Sequence, residues 1–177
     1  MGKIKKDFML KELGRFVLCA IGLLVCSLIL LRYYSKLASY QPYLLLSIVA
    51  IIALAALRSA MQAHIATNKL TDNDAYTLEK EYTASHPIYK VWQGEIHLMQ
   101  NYIVCRNRGR LILIPVHKIE RVEHRFDRIG MQRIPFAKFI IDTDQSIAIG
   151  FSPNHSKDSE AVFEWLEKRL GKEKVRH

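Results

Sequence analysis

Residues able to do chemistry are few and scattered in this chain of 177 residues. Three arginines, Arg106, Arg108 and Arg110, alternate through YIVCRNRGRLILI and so crowd the tip of one expected hairpin, while Arg128 and Arg133 fall in a second expected loop, DRIGMQRIP. Cations gathered at such tips attract phosphate or carboxylate groups, each contact with an anionic surface contributing about 1 kcal/mol. The plainer account, a solvated turn, is preferred. Cys105 adjoins Arg106, whose charge would lower a thiol pKa, and His97 or His117 across a sheet would be its base. A cysteine in register with Ile103 within an alternating strand is more often a small core hydrophobe, which is the expectation adopted. The seven histidines, at 64, 86, 97, 117, 124, 155 and 177, form no HExxH and share no ligating spacing. There is no CxxC, no glycine-rich phosphate loop and no GxSxG, so neither catalytic residues nor a cofactor or metal is expected.

The elements that would position these residues are uneven in composition. Half of the chain is hydrophobic and 24% is charged, with a mean hydropathy of +0.01 and a net charge of +9. That balance excludes a disordered tail or a collagen-like repeat, and three cysteines are too few for a disulfide framework. The averages conceal two charge-free runs. Phe16 to Leu31 holds sixteen residues between Arg15 and Arg32, and Leu37 to Leu57 holds twenty-one between Lys36 and Arg58. Neither run has a polar stripe, so a buried helix of a soluble protein fits poorly. The basic leader resembles a signal-peptide start, but no clear small-residue cleavage site follows Leu31. The runs therefore predict a transmembrane hairpin with helices about 13–34 and 41–61, Pro42 occupying the first turn of the second.

Charge sets the expected orientation. Residues 1–15, a basic N-terminus, carry five Lys or Arg, against Arg32 and Lys36 in the hairpin loop. The positive-inside rule then puts both chain termini in the cytoplasm, with Tyr33, Tyr34, Tyr40 and Tyr43 as an aromatic belt on the opposite face. Cys19, Gly22 and Cys26 fall on one face of the first helix and Ala53, Ala56 and Ala60 on one face of the second. Small residues at this spacing let membrane helices approach closely, either within the hairpin or between two copies. Residues 86–177 carry 16 Lys or Arg against 11 Asp or Glu, whereas residues 1–61 carry 8 against 2. Much of the positive charge thus flanks the membrane runs, and the module lacks a basic recognition helix, so nucleic acid is not an expected partner.

Beyond residue 61 an acidic, helical linker is expected over 62–85, with a break near Thr71 and a cap at Thr71 or Asp72. From Ile88 the periodicity becomes two. EIHLM, YIVCR, RLILIPV, KIERVEHRF, AKFIIDT and SIAIGF read as about six antiparallel strands in consecutive hairpins, Gly109 supplying positive φ in one turn. A helix over about 158–170 follows, capped by Asp158 or Ser159 and stopped by Gly171, with Val162, Trp165, Leu166 and Leu170 on its apolar face. That face would plug a curved sheet or open barrel.

Two membrane helices, a hairpin run introduced by GEIHLMQNYIV, a strand ending in IPVHKIERVE and a terminal amphipathic helix resemble bacterial pleckstrin-homology-like membrane proteins in layout. The resemblance implies an α+β membrane protein: a two-helix transmembrane hairpin and, over 86–177, a PH-like antiparallel β-module closed by a C-terminal helix. It implies a non-enzymatic binding or scaffolding protein of the inner membrane, with protein, a second copy or an anionic lipid headgroup as ligand. Pleckstrin-homology domains that bind phosphoinositides use basic hairpin loops, which makes Arg106, Arg108, Arg110, Arg128 and Arg133 the candidate contacts. The competing expectations are a small membrane-bound enzyme using Cys105 or a histidine, and a subunit of a larger membrane complex.

Overall fold

A computed structural model describes residues 2–33, 41–68, 70–107, 109–129, 132–142, 145–152 and 156–176. The chain divides into two compact units, Gly2–Asn68 and Lys69–His177.

The first unit is an antiparallel pair of helices, α1 (Gly2–Tyr33) and α2 (Gln41–Thr67). Helix α1 starts well before the expected boundary near Leu13. The basic leader KIKKDFMLKEL is rich in good helix formers, and the helix continues through Gly14 and Arg15. Both helices are long and apolar enough to cross a membrane, over Gly2–Ile29 and Leu46–Thr67. Their large apolar side chains mostly point outward; Leu18 is 71% exposed, Leu46 69% and Leu54 66%. The hydroxyls of Ser27 and Ser47 donate back to the carbonyls of Leu24 and Tyr43, both at 2.8 Å, which satisfies them within their own helix. The expected loop residues Tyr34, Lys36 and Tyr40 lie outside the described residues.

The second unit opens with α3 (Asp72–Thr83), a helix within the acidic, helical segment expected over 62–85. Thr71 is its N-cap, as its sequence suggests: its Oγ1 accepts from the Asp74 amide at 3.2 Å. Among the described residues follow β1 (Ile88–Val91), β2 (Gly94–Leu98), β3 (Tyr102–Asn107), β4 (Arg110–Pro115), β5 (Arg121–Ile129), β6 (Gln132–Asp142), β7 (Gln145–Gly150), α4 (Ser156–Leu170) and the two-residue β8 (Val175–Arg176). They do not make one run of hairpins. Strands β1–β4 form one antiparallel sheet, and a second has the order β7-β6-β5-β8, with β8 parallel to β5. A 3-10 turn at Val116–Lys118 carries the chain between the sheets. Strand β8 pairs through only Val175 and Arg176, too short a segment for periodicity to reveal.

One core joins both sheets. Ile96, Leu98, Ile103, Cys105 and Ile114 from the first meet Val122, Ala137, Phe139 and Ile149 from the second, and Val162, Phe163 and Leu166 of α4 seal it. Trp165, expected in the plug, is only partly buried at its margin. Helix α4 begins at Ser156, ahead of the expected cap, so the Asp158 carboxylate instead accepts from the Lys90 amide of β1 at 3.1 Å. At its other end Arg169 donates to the Gln100 carbonyl at 2.9 Å, and Gly171, with φ of 93°, ends the helix. Both ends of α4 are thus tied to the first sheet.

The segment DRIGMQRIP is the main correction to the strand reading. Pro135 argues for a loop, yet it sits in β6 paired with Phe126, and Arg128 pairs directly with Arg133. Its carbonyl accepts from the Phe151 amide at 2.8 Å.

At Gly94 the β3 backbone leaves no room for a side chain: a Cβ would lie 1.6 Å from the Arg106 carbonyl oxygen. Gly94→Ala must therefore push the two backbones apart. We expect a loss of about 1–3 kcal/mol, the scale of a locally strained backbone, measured by urea unfolding followed through tryptophan fluorescence.

Candidate functional site

Alternation along β2 and β3 sorts their side chains onto two faces. Ile96, Leu98, Ile103 and Cys105 enter the core, so Glu95, His97, Tyr102, Val104 and Arg106 take the other face. Cys105 and His97 are consequently on opposite sides of the sheet, and His117 is exposed in the 3-10 turn. The nucleophile–base pair therefore does not assemble. Burial dominates the Cys105 thiol and pushes its pKa up to about 12, outweighing the Arg106 charge that lowers it. The thiol is protonated and enclosed at neutral pH.

The arginines expected at one tip part company. Arg106 is 16% exposed and lies 3.4 Å from Glu95, its partner across the β2–β3 ladder. Arg110 is exposed at the start of β4, and Arg108 lies outside the described residues. Arg128 and Arg133 belong to the other sheet, where both are exposed. In the helical unit Cys19, Gly22, Cys26 and Ala53 face outward, and Ala56 and Ala60 are half-buried. The less exposed stripe of α1 runs instead through Phe16, Ala20, Leu24 and Ser27, so the first helix does not pack the hairpin through its cysteine face.

Sequence reasoning missed a polar constellation on the outer face of the first sheet. His86 Nδ1 is 2.8 Å from the Ala84 carbonyl, His86 Nε2 is 2.8 Å from His97 Nδ1, and His97 Nε2 is 3.0 Å from Glu95 Oε1. Tyr82 of α3 lies beside both imidazoles, ring centroids 5.7 and 5.2 Å away. Each imidazole thus bridges two partners through its two ring nitrogens. His86 and His97 are eleven residues apart, in a loop and a strand, and only pairing of β1 with β2 brings them together.

No protein-family model matches this chain. A search of curated proteins also returns none that matches it. The outer face must therefore be understood from its own chemistry, and among the described residues no three metal-ligating side chains converge there or elsewhere.

A second cluster fastens α3 to this face. Tyr102 donates its hydroxyl to Asp74 at 2.7 Å, Thr71 donates to the other carboxylate oxygen at 2.8 Å, and Glu81 accepts from the Asn101 amide at 3.0 Å. The Tyr102 hydrogen bond, with help from Thr71, holds Asp74 below its ordinary carboxylate range. Burial and then Asp74 push the Tyr102 phenol upward, so it remains a donor throughout the neutral range. A depressed carboxylate pKa stabilises the fold above the unfolded value and stops doing so as pH falls through the folded one.

Two outcomes follow from these contacts. Tyr102→Phe destabilises the module most above about pH 5, with the difference from the parent shrinking toward about pH 2, as read from pH-dependent urea unfolding. His97→Ala removes one partner each from His86 Nε2 and Glu95 Oε1, which keep their contacts to Ala84 and Arg106, and costs about 1–3 kcal/mol in the same assay, because half-buried polar atoms lose hydrogen bonds.

Proposed function

We propose that this chain is a non-enzymatic, multi-pass inner-membrane protein that anchors a cytoplasmic PH-like binding module. The observation carrying the membrane part is the outward-facing apolar surface of α1 and α2, including Leu18, Ile21, Leu46 and Leu54. Leaving each such side chain in water forfeits about 1.5–3 kcal/mol relative to burying it, a deficit that a bilayer removes. Lysines and arginines near the start of α1 support cytoplasmic termini. Two sheets sharing one core, closed by a C-terminal helix, support the PH-like reading. A binding role is favoured over an enzymatic one because Cys105 is enclosed, protonated and turned away from His97.

The full chain should resist extraction from membranes at alkaline pH, and a thiol-directed reagent should leave Cys105 unmodified in a Cys19→Ser, Cys26→Ser background until the module unfolds. Alkaline extraction would refute the membrane anchor. Native-state labelling of Cys105 faster than a model thiol would revive the nucleophile.

A second reading, assembly with a further copy or another membrane subunit, is favoured by the outward face of Cys19, Gly22 and Cys26. Mild oxidation of native membranes should then give a disulfide-linked species through Cys19 or Cys26. A chain that remains monomeric under oxidation contradicts assembly through that face.

A further inference from the structure

The β5–β6 ribbon carries its core-side face out beyond the cover of α4. Val122 and Phe139 pair across it and are fully buried. One step outward His124 lies against Phe163 of α4, ring centroids 4.3 Å apart, and against Phe126 at 4.7 Å. Phe126 itself is 49% exposed, with the Arg133 guanidinium 4.0 Å over its ring. One further step places Arg128 and Arg133 directly opposite each other in register. Like charges at opposed strand positions destabilise a ribbon. Among the described residues no carboxylate pairs with either arginine. Asp127 is turned to the other face and accepts from the Arg128 amide at 2.8 Å, while Glu123 holds Arg121 and Arg125 at 2.7 and 2.6 Å.

An exposed aromatic ring flanked by two unneutralised arginines has the chemistry of a surface that meets phosphate and hydrocarbon together. The ring suits the apolar side of a bilayer interface, and the guanidiniums suit the headgroup phosphates. We propose that this face of the β5–β6 ribbon, formed by Phe126, Arg128 and Arg133, docks the module on an anionic phospholipid surface. The proposal rests on the membrane-anchored reading above: tethering to the bilayer raises the effective concentration of that surface, so a contact of modest strength is occupied. A phosphorylated peptide would satisfy the arginines but gives no use for the exposed Phe126 ring. The sequence between the two arginines, Ile129-Gly130-Met131-Gln132, contains no acidic residue to repel the membrane.

The test uses the full chain in nanodiscs of phosphatidylcholine alone or of phosphatidylcholine with phosphatidylglycerol. A photoreactive benzoylphenylalanine replaces Phe126, and lipid adducts are counted by mass spectrometry after illumination. Adducts should be abundant in the anionic discs and sparse in the zwitterionic ones. Arg128→Gln and Arg133→Gln should each lower the yield in anionic discs, by up to about fivefold per arginine near the surface. The same photoreactive group in place of Glu160, exposed on α4, controls for random collision with lipid. Equal adduct yields at both positions, or in both disc types, overturn the proposal, whether or not a phosphopeptide binds the ribbon. Failure of the chain to enter either disc refutes the anchor instead, and a thermal unfolding curve matching the parent shows that the glutamine variants fold.

Discussion

Side chains alternate along a strand, so burying Ile96, Leu98, Ile103 and Cys105 against Phe139, Ile149 and Leu166 leaves their neighbours no choice of face. The same core that stabilises the module thereby collects Glu95, His97, Tyr102 and Arg106 on the opposite side of the sheet. It also assigns Cys105 to packing, because a thiol enclosed by Ile96 and Ile112 across its ladders has neither solvent nor base beside it. The polar constellation is in this sense a consequence of the apolar one.

Helix α3 then depends on that outer face. Its own composition is polar and acidic, with Leu78 as the buried apolar residue within its span. Hydrogen bonds from Tyr102 to Asp74 and from Asn101 to Glu81, together with the Thr71 cap, give it specific attachment. A segment that composition marks as a stalk is thus part of the folded unit. The chain of Ala84, His86, His97, Glu95 and Arg106 lies beside it.

Two segments show why some features escape sequence reasoning. In DRIGMQRIP, glycine and proline argue for a loop, yet strands β5 and β6 run almost through it because the ladder tolerates Pro135 and continues to Ile129 and Gln132. The arginines at 106, 108 and 110 look like one cluster because their numbers alternate. Arg106 nevertheless turns into an ion pair with Glu95, whose position opposite it is set by the register of β2 on β3. Conversely, Arg128 and Arg133 are five positions apart and become direct neighbours only through ribbon pairing. Register is a property of two segments together, and one segment's pattern does not contain it.

What the sequence by itself determined is local and statistical. Two long apolar helices, the Thr71 cap, the alternation of β2 to β4, the apolar face of α4 and its end at Gly171 all follow from spacing, propensity and the absence of a side chain at one position. Only the tertiary structure decided that the strands divide into two sheets, that His86 meets His97 and that Arg128 opposes Arg133. These are contacts between segments distant in sequence or joined by register, and their free energy comes from desolvating one shared core. No window of neighbouring residues carries that information.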